Sequence, residues 1–207
     1  LINRREFERR LSELLVQAKH THQHHALAYL DLDQFKLVND TCGHAVGDRL
    51  LCQITYLLKE KVRDSDTLAR LGGDEFGLLL ENCPLERALH ITEDLLATIR
   101  NFRFVWQGHS FDIGASIGLV VLSDPAASAD EVMEQADSAC YAAKEAGRDQ
   151  IRVYHAKAAS QQPRAEMNIV ETIHDAIERN GFRLFRQRIA GLDESNASAR
   201  HFELLLR

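Results

Sequence analysis

The sequence predicts an α+β fold, a mixed and mostly antiparallel five-stranded sheet flanked by helices. Three observations lead there. Short apolar runs of strand length alternate with longer segments whose apolar residues recur every three or four positions. Two pairs of runs are joined by tight glycine turns, which makes each pair an antiparallel hairpin. The remaining runs are separated by helices, and such helices must pack on the sheet that the strands build. Apolar residues make up 45% of the 207-residue chain, enough for a packed core and too many for wholesale disorder.

Asn3 can cap a first helix, with Glu6 as its reciprocal partner. Phe7, Leu11, Leu14, Leu15 and Ala18 then recur at helical spacing. His20 to His25 reads as a polar loop, and a metal-binding role for its histidines is the weaker alternative. Ala26 to Leu32 reads as a buried strand ending in acid. Val46 to Val62 forms a second helix, with Leu50, Leu51, Ile54 and Leu58 on one face. A hairpin follows, Thr67–Leu71 and Phe76–Leu80, with Gly72-Gly73-Asp74-Glu75 at its tip.

Pro84 starts a third helix containing Ala88, Ile91, Leu95 and Ile99. A second hairpin turns at Gln107-Gly108-His109, and its return strand alternates Phe111, Ile113, Ala115 and Ile117. Phe104 and Trp106 read as core. A fourth helix runs from about Ala129 to Ala146, with Gly147 as its stop. Ile151–Val153 forms a last strand. Residues 1–156 thus make one domain and 157–165 a polar linker. Residues 166–207 hold a helix (Ile169, Ile173, Ile177) and two strands (Phe182–Gln187, Phe202–Arg207), too little for an independent fold.

The formal charge of −6 argues against partners that want a basic surface, namely nucleic acid polymers and anionic membranes. No apolar run of about 18 residues is present to span a bilayer, and no signal peptide is recognisable. Cys42, Cys52, Cys83 and Cys140 lack CxxC spacing, and three lie in apolar contexts; they read as reduced thiols of a cytoplasmic protein. The abrupt ends suggest a piece of a longer protein, whose parent could be tethered to a membrane.

Asp31 and Asp33 are two apart at a strand end and so point to one face. The segment that follows, Asp33 to Leu37, enters a helix whose free N–H groups suit a phosphate. If the strands are neighbours, Asp31 converges with Asp74 or Glu75, and such a carboxylate set beside phosphate-binding amides suits Mg²⁺. Lys144 and Arg148, four apart, share a helix face; they either neutralise a triphosphate or complement the helix terminus. Asn39 and Asp48 flank Gly43-His44 and Gly47. An amide with a carboxylate can read a guanine edge, or these residues serve turn and cap chemistry. Arg63 and Asp66 can pair with each other or grip a ligand.

Four stretches together resemble the GGDEF domain of the diguanylate cyclase family: Asp31 to Asp40, Gly43 to Asp48, Gly72 to Phe76, and Ala136 through Arg148. The resemblance covers about residues 1–156. It implies a palm-like nucleotidyl cyclase fold with a ferredoxin-like core, and condensation of two GTP into cyclic di-GMP with release of two pyrophosphates. It implies that Asp31 and Asp74 hold Mg²⁺ (or Mn²⁺) with the Leu32 carbonyl. Asn39 and Asp48 would read guanine with His44 beside them, and Phe35, Lys36, Lys144 and Arg148 would hold phosphates. Glu75 would accept the 3′-hydroxyl proton or assist the metal. Arg63 and Asp66 fall where family members bind product as a feedback inhibitor. Since one site holds one GTP, the chemistry implies a two-fold homodimer.

The tail resembles the opening of an EAL phosphodiesterase domain. Glu203 would be a metal ligand there, and Gln187 and Arg207 would touch cyclic di-GMP. Leu204 replaces the usual Ala, and Arg188 stands where Pro usually follows the Gln. The rest of that barrel is absent from this sequence, so the fragment should not hydrolyse its ligand. The parent would be a tandem cyclase–phosphodiesterase. Two alternatives stay open: a silent GTP-binding domain that regulates the attached phosphodiesterase, or a cyclic di-GMP receptor acting through Arg63 and Asp66.

Overall fold

A computed structural model describes residues 1–21, 23–122, 127–155, 184–189 and 201–206. The chain divides into two compact units, Leu1–His155 and Ala156–Arg207. In the first, β1 (Ile2–Asn3) and α1 (Arg4–Thr21) precede β2 (His25–Asp33), α2 (Phe35–Cys42) and α3 (His44–Lys61). The hairpin β3 (Thr67–Gly72) and β4 (Glu75–Leu80) leads to α4 (Leu85–Asn101). A short hairpin, β5 (Arg103–Trp106) and β6 (His109–Asp112), is followed by β7 (Gly114–Leu122), α5 (Ala129–Glu145) and β8 (Gln150–Val153).

The sheet order is β1-β3-β4-β2-β7-β8. Antiparallel pairing joins β2 to β4 and β7, and β3 to β4, while β1·β3 and β7·β8 are parallel. The central β2 alternates between two cores. Ala26, Ala28, Leu30 and Leu32 join the α3 and α4 side with Leu50, Ile54 and Ile99; Leu27 and Tyr29 join the α1 and α5 side with Phe7, Leu11 and Ala136. Burial on both faces explains why β2, β4 and β7 read as continuous apolar runs. The α5 contact is close: a Cβ on Gly118 of β7 would lie 2.0 Å from the Ala136 carbonyl oxygen. Only glycine lets that helix lie against its strand.

Several details differ from the sequence reading. The two-residue β1 adds a sixth strand, too short to show alternation. Asn3 Oδ1 accepts the Glu6 N–H at 3.0 Å, but the Glu6 carboxylate does not reciprocate. It bonds Arg9 and Arg10 instead, and those guanidinium groups pull its carboxyl down to about 2. The polar histidine stretch is shorter than its sequence suggests, because α1 runs to Thr21 and His25 begins β2 in the core. The return strand of the second hairpin breaks at Ile113, so β5–β6 is a separate two-stranded sheet. Arg49 stacks on its Trp106 with the guanidinium 4.9 Å from the ring centre. Helix α5 opens with an unforeseen capping box between Ser128 and Glu131. Cys83 and Cys140 are buried and Cys42 half-buried, whereas Cys52 is exposed.

In the second unit β9 (Leu184–Ile189) and β10 (His201–Leu206) pair antiparallel, with Gln187 opposite Glu203. Arg207, the linker 157–165 and the expected helix at Ile169–Ile177 lie outside the described residues. Among the described residues no helix is long and apolar enough to cross a membrane.

Candidate active site

The end of the central strand and the tip of its neighbour meet. Asp31 is the register partner of Glu75, and the Leu32 N–H donates to the Asp74 carbonyl at 3.2 Å. Acids more than forty positions apart in sequence thus occupy one corner of the sheet. Gly73 makes the turn possible with φ +45°, a region that glycine enters freely. Helix α5 lays Lys144 across the corner, its Nζ 2.7 Å from Asp31 Oδ2. Glu75 is held from two other sides. Arg4 of α1 approaches its Oε2 at 3.4 Å while donating to the Leu71 carbonyl, and Tyr29 hydrogen-bonds the same carboxylate.

The electrostatics of this corner are unbalanced. Burial raises the Asp31 carboxyl above the ordinary range; the bond to Lys144 opposes the rise, and the negative charges of Asp74 and Glu75 add to it. Burial disfavours the Lys144 ammonium, but the bond to Asp31 together with the negative charges around it, Asp31 first, raises it on balance. Burial and the bond to Glu75 likewise raise Tyr29. Lys144 answers Asp31 and Arg4 approaches Glu75, while Asp74 has no ion pair among the described residues, which leaves one carboxylate open to a cation. Among the described residues no three His, Cys, Asp or Glu side chains cluster as a ready metal cage. A pair of carboxylates fits a hard cation that keeps water and phosphate oxygens as its other ligands, as Mg²⁺ does.

Beside the acids, Gln34 turns left-handed with φ 63° and starts α2 without any side-chain cap. Phe35 sends its ring into the core, which leaves its backbone at the helix start, whereas Lys36 is exposed. The other side of the α2–α3 corner is built on Gly47. A Cβ there would fall 1.9 Å from Asn39 Oδ1, which is buried without a partner. That orphaned acceptor fits a ligand N–H donor. His44 and Asp48 are exposed on the first turns of α3.

Other sequence-predicted residues are placed differently from expectation. Arg148 does not continue the α5 face with Lys144. The helix stops at Glu145, and Gly147, Arg148 and Asp149 all have positive φ, 113°, 63° and 47°. Arg63 and Asp66 do not pair: the Asp66 N–H donates to the Arg63 carbonyl, and the Asp66 carboxylate accepts the Glu81 N–H at 3.2 Å. That turn sits at the far end of the β3–β4 hairpin, roughly 17 Å from the acidic tip at the rise of a strand. Asp33 leaves the acidic corner altogether, since its oxygens bond Ser116 and the Asp149 N–H. Sequence reasoning missed Arg4, Tyr29 and these Asp33 partners. An Arg at a helix start or a Tyr in a buried strand carries no local mark of a partner some fifty to seventy residues away.

Known proteins resemble this chain in sequence and in fold. Residues 1–150 match the family model described as "Diguanylate cyclase, GGDEF domain". The chain is 46% identical over 172 residues to the probable diguanylate cyclase DgcE of Escherichia coli, covering 83% of this chain and 16% of that protein. It is 36% identical over 209 residues to the cyclic di-GMP phosphodiesterase PdeB of Shewanella oneidensis, covering all of this chain and 24% of that one. The chain thus spans a quarter or less of these relatives. The crystal structure of the GGDEF domain of DgcB from Caulobacter crescentus in complex with c-di-GMP superposes with a TM-score of 0.71. It shares 27% identity, over 74% of this chain and 91% of that one. The sheet order, the acidic corner and these matches together place the chain in the GGDEF domain family of diguanylate cyclases.

Proposed function

We propose that residues 1–155 are a diguanylate cyclase unit that condenses two GTP into cyclic di-GMP and releases two pyrophosphates. The observation that supports this best is the junction of Asp31 with Glu75 and of Leu32 with Asp74, beside an uncapped helix start. Asp31, Asp74 and the Leu32 carbonyl would hold Mg²⁺ or Mn²⁺. When bound, that ion neutralises phosphate oxygens and favours in-line attack at the α-phosphate. The backbone of Phe35 with Lys36, Lys144 and Arg148 hold the phosphates. Asn39 Oδ1 accepts from the guanine N–H edge, and Asp48 accepts beside it, with His44 lining the same corner. Glu75, oriented by Arg4 and Tyr29, takes the 3′-hydroxyl proton.

Each unit binds one GTP, so two copies face each other as a homodimer during catalysis. GTP as substrate sets the domain in the cytoplasm. The exposed Arg63 with Asp66 forms a product site. The β9–β10 hairpin begins an EAL domain in which Gln187 and Glu203 are neighbours; Arg207 belongs to the same expected set.

The match of this whole chain to a quarter of a protein named as a phosphodiesterase supports a second reading, a GTP-binding regulator without turnover. One experiment separates them. The purified chain is incubated with GTP and Mg²⁺, and nucleotides are resolved by chromatography. Cyclic di-GMP is the expected product; GTP bound but unconverted favours the regulator; no GTP binding overturns both.

A further inference from the structure

The acidic end of β2 has two arms, and only one belongs to the corner described above. Asp33 is 5% exposed and spends both oxygens inside the fold. Oδ1 accepts the Ser116 hydroxyl at 2.9 Å, and Oδ2 accepts the Asp149 backbone N–H at 2.9 Å. Its acceptors therefore face β7 and the α5–β8 turn, away from Asp74. Asp149 is gripped again from α4: Arg100 Nε lies 2.7 Å from its Oδ2, and Arg100 Nη2 lies 2.9 Å from its carbonyl oxygen. Gly114 makes room for this stack, since a Cβ there would lie 3.1 Å from Asp33 Oδ2 and 3.4 Å from Asp149 Cβ.

The clamped segment is the left-handed turn Gly147-Arg148-Asp149. Two of its residues carry a Cβ in a backbone region that L side chains seldom adopt, so the turn persists only if its surroundings fix it. On one side the Arg148 N–H is tied to the Ala143 carbonyl of α5 at 3.0 Å. On the other stands the Asp33–Asp149–Arg100 stack. Arg148 lies between these anchors with an exposed side chain, one residue from the clamp.

We infer that Asp33 is a positioning residue for phosphate binding: through the Asp149 N–H it fixes the turn that presents Arg148 to the nucleotide. This rests on the cyclase reading above and adds a division of labour within Asp31-Leu32-Asp33. Asp31 serves the cation, and Asp33 serves the arginine.

The test is a double-mutant cycle in the full chain, read as KM and kcat for GTP. Asp33→Ala and Arg148→Ala should each raise KM about tenfold with a smaller fall in kcat. The double variant should be no worse than Arg148→Ala alone. Asp33→Asn should recover most of the loss, because its amide oxygen can accept the Asp149 N–H while its NH₂ faces Ser116. Arg100→Ala, which cuts the other side of the clamp, should raise KM in the same direction but less. Amide exchange adds a readout that does not depend on turnover: the Asp149 N–H should lose protection in Asp33→Ala and keep it in Arg148→Ala. Multiplying effects in the double variant, or an unchanged Asp149 amide, would overturn the inference. Should Asp33→Ala not fold, Arg100→Ala and Arg148→Ala carry the cycle, and multiplying effects there overturn it equally. A wild-type chain that binds no GTP removes the cyclase reading and this role with it; a wild-type chain that binds GTP while the cycle is additive removes this role alone.

Discussion

Asp31 and Asp33 share a strand, a face and a residue type, yet their surroundings differ completely. Asp31 opposes Glu75 on β4, holds Lys144, and is pushed up by burial and by neighbouring acids. Asp33 faces the other neighbour, where a hydroxyl and a backbone amide satisfy it. One carboxylate stands at an acidic corner against a lysine, and the other is consumed by the architecture. Strand spacing gives both the same direction, but the flanking strands decide what each one meets.

The comparison breaks most sharply at the hairpin tip. Asp74→Ala or Glu75→Ala should reduce turnover by about a thousandfold, the scale of losing a preorganised electrostatic contact, while thermal melting stays near wild type. Unchanged product formation in both variants would remove the acidic corner from the chemistry. Next comes Asp31→Asn. A carboxyl raised in the folded state disfavours the fold once it ionises, so Asp31 weakens the domain above its raised value and does not below the ordinary carboxylate range. Asp31→Asn should therefore lose turnover yet melt no lower than wild type at neutral pH. Its advantage should shrink as the pH falls through the raised value. Asp33→Asn should do the reverse and lower the melting temperature, at about 1 kcal/mol for a weakened buried hydrogen bond. Melting curves of both variants from pH 4 to 8 check the pair, and a lower melting temperature for Asp31→Asn at neutral pH would contradict the contrast.

Gly47→Ala extends the comparison to the nucleotide corner. The new methyl would displace Asn39 Oδ1, so KM for GTP should rise about tenfold with the fold retained, a loss on the scale of one hydrogen bond. The smallest effect belongs to Arg63→Ala, remote from the acids: initial rates should stay the same while inhibition by added cyclic di-GMP weakens. An unchanged inhibition curve would remove the proposed product site.

Much of this architecture was legible in the sequence because its signals are local. The apolar period of α3 and α5, the Gly-Gly turn, and Gly147 as a stop each act within a few residues. The meeting of Asp31 with Asp74 followed once β2 and β4 were read as neighbours. What escaped was non-local or masked by a continuing pattern. Ser116 and Asp149 lie 83 and 116 residues from Asp33. The alternation Phe111, Ile113, Ala115 runs straight through the break at Ile113, so periodicity could not reveal two sheets. The four-residue spacing of Lys144 and Arg148 lets them share a face only if helical geometry persists past the Gly147 stop, and a left-handed turn of non-glycine residues leaves no mark of its own. His25 looked polar by its neighbours, although its register opposite Leu122 puts it in the core.

The central claim is that Asp31 and Asp74 hold one divalent cation between them with a nucleotide's phosphates. Electron paramagnetic resonance of Mn²⁺, titrated into the chain with a non-hydrolysable GTP analogue, tests it without relying on turnover. Asp31→Asn and Asp74→Asn should each weaken nucleotide-dependent Mn²⁺ binding by at least tenfold, and Asp33→Asn should leave it near wild type. Mn²⁺ binding unaltered by both Asp31→Asn and Asp74→Asn would contradict the account.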